Sequence, residues 1–218
     1  MNDSTDITEA SDATGSTDGA GSVEAAFAAA DLNAPADLNA SADGIPPLVT
    51  ARLLLHPLTA AEAGRVVESA PAPGDRWAEG YPAPGDVSGA RGFLNGVAER
   101  GDPGIWRAYE IRQPVDGLAI GGIGFHGPPD ADGVVTIGYG LVPAVRGRGY
   151  ASESLRALIA RARAAGATAV RGDADLDNLA SQRVMEAAGM TYEGEDEQVR
   201  NYRVVFAERG AAEDPSGL

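Results

Sequence analysis

Residues 146 to 151 have the composition of an anion-binding turn. An apolar stretch typical of a strand, residues 136 to 142, leads into it, and a helical pattern follows it. Glycine permits positive φ and close approach of a ligand to the backbone, and the first N–H groups of a helix have no partner within that helix. Such a place suits a phosphate or a pyrophosphate. The turn reads Arg146-Gly147-Arg148-Gly149-Tyr150-Ala151.

Two families of phosphate ligand fit this turn poorly. A nucleoside triphosphate loop needs a lysine after its last glycine, and all 17 Lys+Arg residues of the chain are arginines. A dinucleotide fingerprint needs a third glycine where Ser152 stands, although Asp173 lies at about the right distance. The chain that follows is also too short for the remaining strands of a doubly wound sheet.

A third family fits through three ordered motifs between residues 49 and 206. The turn resembles the R/Q-x-x-G-x-G/A loop with which the GNAT superfamily of acetyl-CoA-dependent N-acetyltransferases holds the pyrophosphate of coenzyme A. Residues 178 to 190 are similar to the family's N-x-x-S helix, which ends in a glycine and a large apolar residue. Residues 51 to 59, ARLLLHPLT, resemble the opening strand of the branch that includes ribosomal-protein N-terminal acetyltransferases.

The resemblance implies an α+β fold, an α/β three-layer arrangement. Its mixed, mostly antiparallel sheet is flanked by helices and splayed at the cofactor cleft. The residue pattern agrees, since Thr59 and Glu62 have capping-box spacing for a helix to about Ala70. A loop rich in proline and glycine, residues 71 to 86, precedes a second helix marked by Phe93 and ending near Gly101. Further strands are predicted at 52–56, 105–112, 118–125, 134–142, 167–172, 190–195 and 199–206, and further helices at 151–165 and 179–188.

The resemblance also implies a site for acetyl-CoA as cosubstrate. The loop N–H groups would bind the pyrophosphate, and the end of the preceding strand would pair with the pantetheine arm as an added strand would. Asn178 would bond the arm from the other side of the cleft. The alternatives are purely structural: Arg146 and Arg148 are then solvent-exposed charges of a loop, and Asn178 is the N-cap of the next helix. The expected cofactor-binding residues are Tyr139, Leu141, Val142, Arg146, Gly147, Arg148, Gly149, Tyr150, Ala151, Asn178 and Ser181.

Direct attack of an amine on the thioester requires a deprotonated amine and a protonated thiolate. Many relatives place a glutamate where this chain has Thr136. The identity of the general base is therefore left open, and the candidates are Glu110, His126 and Asp175. The residues around His126 favour a surface histidine over a base, and for Asp175 a turn residue is the equal alternative. The family's usual tyrosine acid is replaced by Met185, and Ser181 resembles the serine that takes this place in the ribosomal branch. The expected catalytic residues are Ser181, Asn178, His126 and Asp175.

Charge is spread unevenly along the chain. The net charge is −15, and residues 1 to 44 hold nine acidic and no basic residues, which leaves −6 for the remainder. This composition predicts a disordered acidic tail over residues 1 to 45, with an acidic arm that competes for a basic partner as the alternative. The acetyltransferase domain is expected over residues 46 to 208 and a disordered C-terminus over 209 to 218. An acidic surface argues against nucleic acid as a partner.

Other classes of protein are excluded by composition. The chain has no cysteine and only two histidines, which argues against a disulfide framework and a metal site. No apolar run reaches the ~18 residues that cross a membrane, so no membrane partner is expected and a cytoplasmic protein is predicted. The predicted function is acetyl transfer to a primary amine, of a protein N-terminus or of a small molecule. A non-catalytic acyl-CoA-binding module is the alternative, and a homodimer is one option for the oligomeric state.

Overall fold

One open sheet of eight strands organises the residues that the computed structural model describes, which are residues 44 to 207. The predicted disorder of the two tails, over residues 1 to 45 and 209 to 218, concerns residues outside this range except for Gly44 and Ile45. The strands are β1 Leu48–Val49, β2 Leu54–Pro57, β3 Ala108–Arg112, β4 Ala119–Phe125, β5 Val134–Leu141, β6 Ala169–Asp175, β7 Thr191–Glu195 and β8 Val199–Val205. The α-helices are α1 Ala60–Glu68, α2 Pro84–Arg100, α3 Tyr150–Ala164 and α4 Leu179–Ala187.

The sheet has the order β1-β2-β3-β4-β5-β6-β8-β7. Strands β5 and β6 run parallel, and every other neighbouring pair is antiparallel. Helix α3 provides the crossover between the two parallel strands, which is the connection that parallel pairing requires. This mixed, mostly antiparallel sheet confirms the predicted fold class.

Helix α1 begins where its sequence predicts. The Thr59 hydroxyl accepts the backbone N–H of Glu62, and the Glu62 carboxylate accepts the backbone N–H of Thr59 at 2.8 Å. This reciprocal capping box satisfies two N–H groups that would otherwise lack partners. The helix ends at Ser69, whose φ of 53° places it in the left-handed region.

The start of α2 was predicted wrongly. The loop expected to reach Asp86 ends at Ala83, and the helix begins at Pro84, well before Phe93. Proline suits the first helical position, and the Asp86 carboxylate accepts the Ala83 N–H at 2.8 Å. Four glycines within α2, at 85, 89, 92 and 96, disguise the helix in the sequence because glycine is a poor helix former. The other predicted elements are all present, with ends within three residues.

The helices cover both faces of the sheet and make three layers. Helix α2 packs against β3, β4 and β5 and also against α1, whereas α3 and α4 pack together on the face of β5 and β6. The α3 stripe of Leu155, Leu158 and Ile159 is buried, as the helical period predicts. The two helix layers therefore place different sets of side chains on either side of the central strand β5.

Candidate active site

The sheet opens into a gap between β5 and β6. The two strands pair only over Val134 to Thr136, whereas β4 follows β5 as far as Leu141 and β8 follows β6 as far as Asp175. Beyond Thr136 the two strands therefore diverge, each held by its other neighbour. This gap is the splayed cleft that the sequence predicts.

Beyond Thr136, the edge of β5 that faces the gap pairs with no other strand among the described residues. Thr136 accepts the His126 N–H through its carbonyl oxygen, and Val142 donates its N–H to a carbonyl of β4, so the even-numbered residues of β5 face β4. The peptide groups of Tyr139 and Leu141 consequently face the gap. An extended ligand arm can pair with this edge as an added strand does.

Val142, one of the predicted cofactor-binding residues, does not extend this edge. Its N–H donates to Ile120 O at 3.0 Å, and its own carbonyl oxygen accepts the Val145 N–H at 3.3 Å. Its side chain is buried. A short 3-10 turn, Pro143–Val145, starts here and ends the strand pairing.

The turn after β5 presents free backbone donors. Gly147 and Gly149 have φ of 76° and 79°, a region that favours glycine. Among the described residues, no hydrogen bond engages the backbone N–H groups of residues 147 to 151. Since α3 begins at Tyr150, these donors lie at a helix N-terminus and at the end of the gap, as the sequence predicts for a pyrophosphate site.

The two arginines of the turn are exposed and lie against backbone carbonyls. The Arg146 Nε donates to Leu141 O at 2.9 Å, and Arg148 Nη2 lies 3.4 Å from Ala144 O. The first bond fixes the Arg146 guanidinium at the corner where the unpaired edge of β5 meets the turn. Both side chains therefore add positive charge at the place where the sequence expects it.

Arg52 is a third arginine at this corner, and the sequence predictions did not include it in the site. Its Nη1 donates to Arg148 O at 2.9 Å, and its guanidinium lies 4.8 Å from the centre of the Tyr150 ring. Glu153, in the first turn of α3, accepts from Arg52 and also from the Thr50 hydroxyl at 2.6 Å. The segment before β2 thereby braces the turn, a contact between residues about 100 positions apart.

The start of α4 lies across the gap and contacts β5. Asn178 is the N-cap, its Oδ1 accepting the Ser181 N–H at 3.1 Å, so the structure gives it the capping role. The Tyr139 hydroxyl lies 2.7 Å from Ser181 Oγ and 3.0 Å from the Ser181 carbonyl oxygen. Burial raises the pKa of Tyr139 to about 12, although the bond to Ser181 opposes the rise. The phenol therefore keeps its proton at neutral pH and connects the predicted acid to β5.

A cavity of about 430 Å³ lies on the opposite face of the sheet, under α2. Glycines of β4 and β5 form its floor, at 122, 124 and 138, and apolar side chains form most of its walls. A Cβ at Gly122 would lie 2.5 Å from Asp86 Oδ1, and a Cβ at Gly124 would lie 2.8 Å from the Ala108 Cα. These two glycines therefore allow Asp86 and the backbone of β3 to approach β4 closely on the face away from α3. The walls include Leu58, Val66, Tyr81, Phe93, Tyr109 and Phe125.

Asp86 projects into this cavity from the first turn of α2. Burial raises the pKa of Asp86 to about 6, and the nearby charge of Glu110 adds to the rise, while backbone N–H groups of Ala83 and Gly122 oppose it. Within residues 44 to 207, neither an arginine nor a histidine forms an ion pair with it. The sequence predictions missed Asp86 because they placed it in a loop.

Glu110, one of the bases considered from the sequence, is occupied by other partners. Its Oε2 lies 2.6 Å from Arg112 Nη2, and its Oε1 accepts the Tyr81 hydroxyl at 3.1 Å. Arg112 also reaches towards Glu62, which is bonded to His56 at 2.8 Å. Both carboxylate oxygens of Glu110 therefore already have partners, and this geometry disfavours Glu110 as the proton acceptor.

The remaining predicted residues fall in different places. His126 follows β4 at the mouth of the cavity, exposed, with its Nε2 2.8 Å from where a Cβ of Gly138 would lie. Asp175 ends β6 level with the far end of β5, roughly 13 Å along the strands from the level of His126. Thr136 accepts from Arg171 Nε at 2.7 Å, and Met185 is buried in the core, so neither supplies acid or base chemistry. His126 and Asp175 are therefore not brought together.

Comparison with known protein families and solved structures agrees with this architecture. A family model described as the acetyltransferase (GNAT) domain matches residues 52 to 191, which is more than half of the chain. The chain belongs to the GNAT acetyltransferase family. It is accordingly an N-acetyltransferase, and acetyl-CoA is the cosubstrate of its family. The resemblance seen in the sequence is confirmed.

Solved structures share the GNAT fold at low sequence identity. A GNAT-family acetyltransferase from Bacillus anthracis is 20% identical, with a TM-score of 0.53 over 73% of this chain and 98% of that one. The ribosomal L7/L12 α-N-protein acetyltransferase RimL, in complex with coenzyme A, is 17% identical with the same score and coverage. The microcin C7 self-immunity acetyltransferase MccE, in complex with acetyl-CoA and AMP, is 17% identical with a TM-score of 0.52 over 72% and 94%. No match was found among curated proteins.

The helices of the described GNAT domain are too short or too polar to cross a membrane.

Proposed function

We propose that this protein transfers the acetyl group of acetyl-CoA directly to a primary amine, either the α-amine of a protein or peptide or the amine of a small molecule. The observation that carries the proposal is the continuity of the site. The free N–H groups of residues 147 to 151 stand at the end of the unpaired edge of β5, and the cavity opens on the other face of that same strand.

This continuity gives each part of the reaction a place. The pyrophosphate occupies the turn, the pantetheine arm lies along Tyr139 and Leu141, and the thioester reaches the middle of β5. The amine enters from the α2 face, so it meets the thioester carbonyl from the side opposite to α3. Ser181 stands at the gap and supplies a hydroxyl for the departing thiolate.

The charge of the cavity favours a cationic acceptor. Asp86 and Glu110 lie together under α2 with a single arginine, Arg112, bonded to Glu110. Outside the acidic tail the chain carries a net charge of −6. RimL acts on a protein α-amine, and both types of amine remain within this proposal. The cytoplasmic location and the homodimer stay predictions from the sequence.

A steady-state assay with acetyl-CoA and a panel of amines tests this proposal. We expect thiol release that depends on one class of amine. The rate of this release should fall in Ser181→Ala. Tight binding of acetyl-CoA without turnover on any amine would instead support the acyl-CoA-binding module. Binding of acetyl-CoA is measured by calorimetry in the same preparation, so that a loss of turnover can be distinguished from a loss of cosubstrate binding.

A further inference from the structure

We propose that Asp86 is the general base of this reaction, taking the proton from the acceptor ammonium inside the cavity under α2. The inference rests on the proposed function, because a base is needed only where an amine is acetylated. Asp86 was absent from the residues that the sequence pointed to, and the helix that positions it was predicted to start later.

The position of Asp86 relative to β5 is the first support. Its Oδ1 lies 2.5 Å from where a Cβ of Gly122 would be and 3.8 Å from where a Cβ of Gly140 would be. Gly122 and Gly140 are partners across β4 and β5, so the carboxylate lies above this pair. The opposite edge of β5 lines the gap, about 5 Å further across the sheet. An amine between the two is therefore within reach of both the carboxylate and a thioester in the gap.

The environment of Asp86 is the second support. Its Oδ2 accepts the Ala83 N–H at 2.8 Å, which fixes the side chain, and its Oδ1 lies over Gly122, whose backbone N–H also bonds the carboxylate, among the residues that line the cavity. The ionisable groups around it are Tyr81 and Glu110, and Glu110 is already bonded to Arg112. A base works best when its pKa lies near the working pH, and the pKa of about 6 meets this condition.

His126 is the other base at the cavity, and its position fits this role less well. It is exposed at the mouth, beside Gly138, so bulk water competes for its ring. Asp86 lies deeper and presents negative charge, which attracts an ammonium group and lowers its mobility before the transfer. The variant His126→Asn is therefore expected to keep the ascending limb of the pH profile of kcat/KM, which a base role for His126 would remove.

The proton and bond changes balance without a further reagent. Asp86 takes one proton from the ammonium nitrogen and later releases it to solvent. The nitrogen lone pair attacks the thioester carbonyl carbon, and the carbon–sulfur bond breaks as the tetrahedral intermediate collapses. The second nitrogen proton passes to solvent as the amide forms. The thiolate takes a proton from the Ser181 hydroxyl, which recovers one from solvent, so the net reaction releases one proton.

The test compares Asp86→Asn with Asp196→Asn in the full chain. Asparagine keeps an oxygen that can accept the Ala83 N–H, so the helix start is preserved. Asp196 is a matched control, because its carboxylate also accepts backbone N–H groups, of Gln198 and Val199 at 2.8 Å, in an exposed turn. We expect kcat/KM for the amine to fall about 100-fold in Asp86→Asn. Affinity for acetyl-CoA, measured by calorimetry, is expected to stay within threefold of wild type in both variants.

Two readouts separate a base from a structural residue. The wild-type pH profile of kcat/KM should have an ascending limb near pH 6, which Asp86→Asn removes and Asp196→Asn keeps. An acceptor amine that is already neutral at about pH 7.5 needs no base, so the deficit of Asp86→Asn should shrink with that acceptor. A structural defect would lower the rates of both acceptors equally.

The outcomes distinguish the two proposals. If the wild type binds acetyl-CoA but acetylates no amine, the proposed function fails and the role of Asp86 with it. If the wild type is active and Asp86→Asn keeps both its rate and the ascending limb of its pH profile, only the role of Asp86 is overturned. The same conclusion follows if His126→Asn removes the ascending limb. If Asp86→Asn does not fold, the pH profile of Asp86→Glu is measured instead. A shift of its ascending limb relative to wild type supports Asp86 as the base, and an unchanged limb overturns that role.

Discussion

The hydroxyl of Tyr139 lies 2.7 Å from Ser181 Oγ and joins the central strand to α4 across the gap in the sheet. Either hydroxyl can donate in this pair. Because the pKa of Tyr139 is raised to about 12 by burial, its proton stays in place at neutral pH. The pair therefore fixes the orientation of the serine that we expect to protonate the departing thiolate.

Removal of either hydroxyl should slow the chemical step. We expect Ser181→Ala to lower kcat about 100-fold and Tyr139→Phe about tenfold, with little change in KM for acetyl-CoA. Because both act on one proton transfer, the double variant should be no slower than Ser181→Ala alone. Tyr192→Phe, which alters an exposed tyrosine of β7, is the control and should keep full activity. A Tyr139→Phe enzyme with unchanged kcat would contradict this assignment.

The conformation of the phosphate turn can be tested at Gly149. Its φ of 79° is unfavourable for alanine by about 1–2 kcal/mol, and a Cβ there would lie 3.4 Å from Arg52 Nη2. We expect Gly149→Ala to weaken acetyl-CoA binding tenfold or more, as measured by calorimetry. Gly166→Ala is matched, since Gly166 has a φ of 90° and follows the C-terminal end of α3, away from the turn. Gly166→Ala should lose a similar amount of stability but keep its affinity for acetyl-CoA. Equal losses of affinity in the two variants would contradict a specific role for the turn.

The glycine floor of the cavity predicts unequal effects on stability. A Cβ at Gly124 would meet the Ala108 Cα at 2.8 Å and the Arg107 carbonyl oxygen at 3.0 Å, and backbone atoms cannot move aside. We expect Gly124→Ala to lower the free energy of unfolding by about 1–3 kcal/mol in urea denaturation. Gly138→Ala meets only the exposed ring of His126, which can rotate away, and should change stability little. A reversed order of the two would contradict the packing of the floor.

Glu62 should make stability depend on pH in the acid range. Burial alone would raise its pKa, but hydrogen bonds from His56 and Thr59 lower it from 4.5 to about 2. A lowered carboxyl pKa contributes stability that is present above about pH 4.5 and lost as the pH falls towards 2. We expect Glu62→Gln to be less stable than wild type at pH 7, on the order of 2 kcal/mol, with the difference vanishing near pH 2. Glu68→Gln, at the exposed end of the same helix, should show no such trend in thermal denaturation.

Local sequence patterns predicted the parts of the fold that depend on neighbouring residues. The capping box at Thr59 and Glu62 and the glycine turn before Tyr150 are complete within a few positions, so the sequence reveals them. Asp86 and Arg52 are different, since each acquires its role only when distant segments pack together. Proline at 84 and aspartate at 86 do signal a helix start, but the surrounding glycines favour a loop when the residues are considered alone. Likewise, the strand pattern predicted the edge of β5 but not the contact between Tyr139 and Ser181.

The most direct test of the account is a crystal structure of the protein with acetyl-CoA bound. We predict that the pyrophosphate oxygens accept hydrogen bonds from the backbone N–H groups of residues 147 to 151. We also predict that the pantetheine arm pairs with the peptide groups of Tyr139 and Leu141, which places the thioester over β5 facing the cavity. A cosubstrate bound elsewhere, or a turn and a gap that stay empty at saturating acetyl-CoA, would contradict it.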